Sequence, residues 1–157
     1  MKISIWCIGK TKDNYIQEGI SVLLTKSKRY WDISWEEIEG IKYKSKDVPS
    51  FIQQAEEEVI LKKLRPKSTL LLLDENGKRL DSTGFAKELQ SFQDQQGIQD
   101  LVFVIGGAYG FSPEIKQKAT ILWSLSPLTF THQMVRLVVL EQLFRSGTIL
   151  RGEDYHH

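Results

Sequence analysis

Leu101-Val102-Phe103-Val104-Ile105-Gly106-Gly107-Ala108-Tyr109-Gly110 is the stretch whose reading decides the fold. Five apolar residues run into a glycine pair and a third glycine, and Ser112-Pro113-Glu114 follows with the signals of a helix start. An apolar run without polar alternation suits a strand covered on both faces, as in a parallel sheet. Glycines at its carboxyl end let backbone pass close to a ligand, and open α/β sheets bind ligands in the crevice beyond the strand ends. A purely structural tight turn has the same composition, so the stretch outlines a site and leaves its contents open.

Working outward, Lys2 to Ile8 reads as a strand, and Asn14 to about Ser27 places Tyr15, Ile16, Ile20, Leu23 and Leu24 at helical spacing. Ile33 to Ile38 is a short second strand. Ser50 to Leu64 is a helix bounded by Ser50 and Pro66, and Thr69 to Leu73 is a third strand closed by an Asp74-Glu75-Asn76-Gly77 turn. Ser82 to Gln95, with Phe85, Leu89 and Phe92 on one side, leads into the quoted stretch. Beyond it come the Ser112 helix, a fifth strand at Ile121 to Trp123, a helix from His132 to Ser146, and a polar tail from Arg151 to His157. This alternation predicts an α/β fold with a mainly parallel sheet flanked by helices. Its 157 residues suit a single domain, residues 1–157, with no linker, repeat or low-complexity stretch inside it. The last helix is apolar around most of its circumference, from Met134 to Phe144. One face meets the sheet; the surplus is either sunk in the core or covered by a second copy of the chain.

Apolar residues make up 41% and charged residues 26%, a globular composition rather than a disordered one. Lys plus Arg is 21 against 20 for Asp plus Glu, a formal net charge of +1. Domains that grip nucleic acid by charge alone carry a clear basic excess. Any RNA contact must therefore come from a local patch, from patches pooled in a dimer, or from a large partner. Lys42, Tyr43, Lys44 and Lys46, between Gly40 and Pro49, make such a patch, although solvated loop lysines show the same pattern. The first apolar run is short and followed by charge, unlike a signal peptide. No run approaches the roughly 20 apolar residues of a membrane-spanning helix. The single cysteine, Cys7, has no disulfide partner and reads as a core residue. A cytoplasmic protein with no membrane contact is the simplest inference.

Gly9-Lys10-Thr11 after the first strand invites a phosphate-loop reading, but Ser4 stands where that motif needs glycine. Glu56, Glu57 and Glu58 are consecutive helix positions about 100° apart, unable to converge on one ion, so they read as a solvated face. With no nucleophile elbow, no His beside Cys7 and no Cys or His cluster, hydrolase and metalloenzyme readings fall away, and no metal is expected. What remains is a reaction whose reactive group arrives on a cofactor, such as methyl transfer from S-adenosyl-L-methionine. Three strand ends, Leu73-Asp74, Gly106 to Gly110 and Leu125 to Phe130, should meet at one sheet edge. A pocket with apolar walls and backbone polar contacts would result, suited to a flat heteroaromatic such as adenine and poorly equipped for phosphate. His132 opens the last helix as a helix-start residue or a pocket wall. Arg136, one turn later, meets an anion, a nucleobase carbonyl or a paired acid. Tyr155-His156-His157 is either a disordered end or a group that stacks on a base and takes its proton.

These residues resemble a known family. Ile8, Gly9 and Lys12, then LDENGK at Leu73 to Lys78, IGGAYGFSP at Ile105 to Pro113, WSLSPLTFTHQMVR at Trp123 to Arg136, and the terminal Tyr155-His156 are similar to the ribosomal large-subunit methyltransferase H (RlmH) family, small members of the SPOUT class. The resemblance runs the full length and implies a homodimer with a trefoil knot in the carboxyl half, a topology that ordinary rules would not suggest. It implies S-adenosyl-L-methionine bound by Leu73, Gly106, Leu125, Ser126, Pro127, Leu128, Thr129 and Phe130. The implied reaction is methylation of ring nitrogen three of a pseudouridine in 23S ribosomal RNA of the assembled ribosome. Tyr155 and His156 of one subunit would then complete the pocket of the other. His156 would act as proton acceptor or orienter, Tyr155 as base-positioning group, and Arg136 as electrostatic help for the developing anionic carbonyl. His157 departs from the family pattern, in which Lys or Arg is common. The alternative is a non-catalytic ribosome-associated binding module, which would keep the lysine patch without needing a cofactor-sized pocket.

Overall fold

The apolar run from Leu101 to Ile105 is sealed on both faces because it is the middle strand of five. The computed structural model describes residues 1–42, 44 and 48–153. Its strands β1 (Lys2–Ile8), β2 (Asp32–Ile38), β3 (Ser68–Arg79), β4 (Asp100–Ile105) and β5 (Ile121–Ser124) form one sheet in the order β2-β1-β4-β3-β5. Every pairing is parallel. The helices are α1 (Asn14–Ser27), α2 (Pro49–Lys63), α3 (Ser82–Asp94), α4 (Pro113–Lys118) and α5 (His132–Leu150).

Alternation along β4 divides the core. Leu101, Phe103 and Ile105 pack with Ile3, Ile5 and Cys7 against Ile16 and Ile20 of α1, Phe85 and Leu89 of α3, and Leu140 and Leu143 of α5. Val102 and Val104 pack with Trp6, Leu70 and Leu72 against Ile60 of α2 and Ile115 of α4. Each such side chain contributes about 1.5–3 kcal/mol when fully buried, so exposing β4 would cost more than fraying either edge strand. Cys7 lies in the first of these layers, and burial pushes its thiol pKa up to about 12, as befits a core residue. The later helices start on side-chain caps: Asp81 accepts from the Gly84 N–H at 2.6 Å, Ser112 from Ile115 at 3.2 Å, and Thr131 from Met134 at 3.2 Å.

Two boundaries differ from the expectation by more than one residue. Asp74 to Gly77 is not a closing turn: β3 runs on to Arg79, its register with β5 shifting between Leu73 and Lys78. Gly77 serves close approach rather than turning, since a Cβ there would stand 2.6 Å from the Leu122 carbonyl oxygen and 2.7 Å from the Trp123 nitrogen. Helix α5 ends at Leu150 rather than Ser146, its last turn tucked against Tyr30, whose ring a Cβ on Gly147 would overlap. All of α5 except His132 is buried or half-buried, largely by α1 and α3. No helix among the described residues is long and apolar enough to cross a membrane. Because β4 inserts between β1 and β3 while β5 adds outside β3, the carboxyl ends of β4, β3 and β5 stand side by side.

Candidate functional site

At those three strand ends lies a cavity of about 630 Å³, within the range of small-molecule sites. Leu73 to Asn76 form one wall, Ile105 to Phe111 a second, and Trp123 to His132 a third, Pro127 being the only member of these segments not facing the cavity. Leu73, Gly106, Leu125, Ser126, Leu128, Thr129 and Phe130 are thus brought together as expected. Trp123 is held stacked on Phe85, with centroids 3.9 Å apart and planes 5° apart, and Phe103 meets both edge-on at 6.2 Å. The two core phenylalanines thus brace Trp123, the member of the triplet that lines the cavity. Leu128, Phe130 and Tyr109 are exposed at its rim.

The glycine turn is shaped by what surrounds it. Gly110 adopts a left-handed φ of +69° and donates its N–H to the Gly107 carbonyl at 3.2 Å. A Cβ on Gly106 would come within 3.0 Å of the Phe111 ring, and one on Gly107 would overlap Glu56 Oε1. Here the reading of Glu56 to Glu58 as a solvated face needs correcting. Glu58 is solvated, but Glu56 is buried and accepts the Gly107 N–H. Glu57 accepts the Ser112 hydroxyl and pairs with Lys118 at 3.2 Å, while Gln53 donates to the Tyr109 carbonyl at 2.7 Å. Burial raises the pKa of Glu56 above the ordinary carboxylate value, and the Gly107 hydrogen bond opposes that shift. One sequence signal pointed to this role: Ile52, Glu56 and Ile60 share an inward stripe at four-residue spacing, with the carboxylate in the middle position.

Charged side chains also reach the cavity, contrary to the expected backbone-only polar lining. The nearly buried Asp74 carboxylate pairs with Lys116 at 2.7 Å and accepts the Asn76 N–H at 3.0 Å. Both partners line the cavity, the lysine arriving from α4, an element remote in sequence. In the third wall the Ser126 hydroxyl accepts the Leu128 N–H at 2.9 Å, and Ser124 donates to the Ser126 carbonyl at 3.3 Å. His132 lines the mouth. Partial burial, then the charges of Arg136 and Lys12, hold its pKa below the usual imidazole value.

Arg136 does not reach the cavity. It is 0% exposed, and its Nη2 donates to the carbonyls of Ile8 at 3.1 Å and Gly9 at 2.9 Å. Its Nη1 donates to Thr11 Oγ1 at 2.6 Å and lies 3.5 Å from Glu37. Of the three readings open to it, this placement matches pairing with an acid: the position faces inward toward the end of β1, where the two terminal nitrogens of the buried guanidinium serve the chain itself while Nε has no partner among the described residues. Tyr155, His156 and His157 lie outside the described residues, as do Tyr43 and Lys46 of the lysine patch.

Residues 1–156 match a family model described as "Predicted SPOUT methyltransferase". Among similar proteins, one from Flavobacterium johnsoniae is 46% identical over 157 residues, covering 100% of this chain and 99% of that one. One from Trichlorobacter lovleyi is 41% identical over 157 residues with 100% of both chains covered. One from Halothermothrix orenii is 38% identical over 159 residues with 99% of each covered. All three carry the name Ribosomal RNA large subunit methyltransferase H.

Proposed function

The chain belongs to the SPOUT methyltransferase family, and from that premise we propose that it is an S-adenosyl-L-methionine-dependent methyltransferase of 23S ribosomal RNA, acting on ring nitrogen three of a pseudouridine in the assembled ribosome. The observation that carries this reading is the cavity of about 630 Å³ walled by the LDEN, IGGAYGF and WSLSPLTFTH segments. A non-catalytic ribosome-binding module would need no cavity of that kind.

The residues present suit that cofactor. Leu73, Leu125 and Phe130 offer apolar walls for adenine, Gly106 and Gly107 leave room where a Cβ would intrude, and Asp74 with Lys116 offers opposite charges to the amino-acid end. When bound, the cofactor supplies an activated methyl group on a sulfonium. The protein's part is position and proton management. Tyr155 positions the base, and His156 accepts or orients the proton of the ring N–H. Both come from the partner subunit of a homodimer whose carboxyl half forms a trefoil knot. Residues 1–157 act as one domain, in the cytoplasm, without metal or membrane. Arg136 acts on the site through the loop it holds and not by contact with substrate.

The test is methylation of whole ribosomes, free large subunits and naked RNA from a strain lacking the modification, with calorimetry for S-adenosyl-L-methionine. Methyl transfer to one nucleotide of the assembled ribosome is expected; cofactor binding without transfer to any of the three substrates would refute the activity. His156→Ala should keep cofactor affinity and lower turnover by about a hundredfold. Unchanged turnover would remove His156 from the mechanism.

A further inference from the structure

Helix α5 begins by fastening a loop that is not its neighbour in sequence. In the segment that follows β1, Gln133 donates to the Lys10 carbonyl at 3.2 Å and accepts the Lys12 N–H at 3.1 Å, one turn before Arg136 takes the Ile8 and Gly9 carbonyls. Gln17 of α1 donates to the Thr11 carbonyl at 2.8 Å, and the Thr11 hydroxyl both accepts from Arg136 and donates to Glu37. Arg136 and Gln133 are buried. Interior placement of a guanidinium and an amide is costly unless their donors are paired, and here most of them serve a single surface loop. A connection that only joined a strand to a helix would need no such framework.

What the framework presents is charge. Lys10 and Lys12 are exposed, and neither side chain has an ion pair or hydrogen bond among the described residues. Of the nearby acids, Glu37 is taken by Thr11 and Arg136 and Asp13 stands at the amino end of α1, where the helix dipole favours a carboxylate, while the exposed Glu39 precedes Gly40 in the loop after β2. Gln133 directly follows His132 of the cavity lining, and the positive charges of Lys12 and Arg136 act on that imidazole and lower its pKa, so a local cationic field reaches this side of the cavity. The loop after β2 runs alongside, with a Cβ on Gly40 falling 3.5 Å from Gly9 Cα, and leads to the exposed Lys42.

We propose that the loop from Gly9 to Asp13 is a phosphate grip, in which Lys10 and Lys12, set in place by Arg136 and Gln133, hold the RNA backbone beside the cavity mouth. This rests on the RNA methyltransferase reading above. It gives a chain of net charge +1 a local means of engaging a polyanion: two lysines without ion pairs are held beside the site. Gln133 and Arg136 are positioning residues in this scheme.

The experiment compares wild type, the Lys10→Ala/Lys12→Ala and Lys10→Arg/Lys12→Arg double variants, and Gln133→Ala, using ribosomes that lack the modification. The alanine pair should raise KM for ribosomes about tenfold, with the loss falling on KM rather than kcat and with calorimetric affinity for S-adenosyl-L-methionine preserved. The slope of log binding constant against log salt should fall by about 1.4 to 1.8, for two phosphate contacts at roughly 0.7 to 0.9 each. The arginine pair should restore both quantities, and Gln133→Ala, which keeps both lysines on a loosened loop, should raise KM about threefold. An active wild type whose alanine pair shows unchanged KM and salt slope would overturn the grip. A wild type that binds ribosomes with the lysine-dependent slope yet transfers no methyl would keep the grip and sink the activity.

Discussion

Replacing Gly107 with alanine tests how the glycine turn is held. The new Cβ would overlap Glu56 Oε1 and lie 3.0 Å from Cδ and Oε2. Backbone conformation does not forbid the change, because Gly107 is not among the left-handed glycines, and the loss of unfolded-chain freedom would by itself favour alanine by about 0.4–1 kcal/mol. The end of a glutamate side chain gives way more easily than a packed turn, so relief comes from rotation of Glu56. That rotation sacrifices a charge-assisted hydrogen bond worth about 1.5–3 kcal/mol and leaves a buried carboxylate unpaired. The net expected cost is about 2 kcal/mol, or roughly 4–8 °C in Tm for a chain of this size. In a Glu56→Ala background the obstacle is gone, and the same substitution should be neutral or stabilising, giving a coupling energy of about 2 kcal/mol. Urea denaturation of the four proteins in the cycle measures it. Equal cost of Gly107→Ala in both backgrounds, with coupling below about 0.3 kcal/mol, would refute the contact as the reason for glycine at this position.

Gly77→Ala should be worse, because the obstruction is the Leu122–Trp123 backbone, which cannot rotate aside. Prising β5 from β3 is expected to cost about 3 kcal/mol in urea denaturation and to weaken cofactor binding in calorimetry; wild-type stability would contradict the close approach. Glu56→Gln keeps an acceptor for Gly107 without charge. Since the folded pKa of Glu56 lies above its unfolded value, the folded protein binds the extra proton between the two, and stability falls as pH rises through that window. The variant should lose this slope and be at least as stable at pH 7; a pH profile identical to wild type would refute the assignment. Arg136→Met strands the Ile8 and Gly9 carbonyls and the Thr11–Glu37 pair, for an expected loss of about 3 kcal/mol by the same denaturation assay. A loss below about 0.5 kcal/mol would show that the buried guanidinium does not hold the loop.

The architecture was legible because its signals are local. Five unbroken apolar residues at Leu101 to Ile105, bounded by glycine, have few alternatives to a doubly covered strand, and the alternation of strand and helix around them leads to a parallel sheet. The cavity walls followed, since parallel strands place their carboxyl ends on one side. Asp74 to Gly77 misled for an equally local reason: Asp, Asn and Gly are turn formers, but β5 offers β3 a partner that prolongs it to Arg79. Residue type says what a segment prefers alone, and pairing can outweigh it.

Sequence by itself settled which segments are strands and helices and which segments wall the cavity, though not the ends of β3 and α5, because hydrophobic period and chain punctuation act within a few residues. Tertiary structure alone decided which polar side chains meet. Glu56 reaches Gly107 across 51 positions, Lys116 reaches Asp74 across 42, and Arg136 reaches Gly9 across 127, as their residue numbers show. A buried charge takes whatever donor or acceptor the fold delivers to it, and no local pattern names that partner. The glycine turn thus owes its position in the chain to sequence, and its shape to a carboxylate brought from another helix.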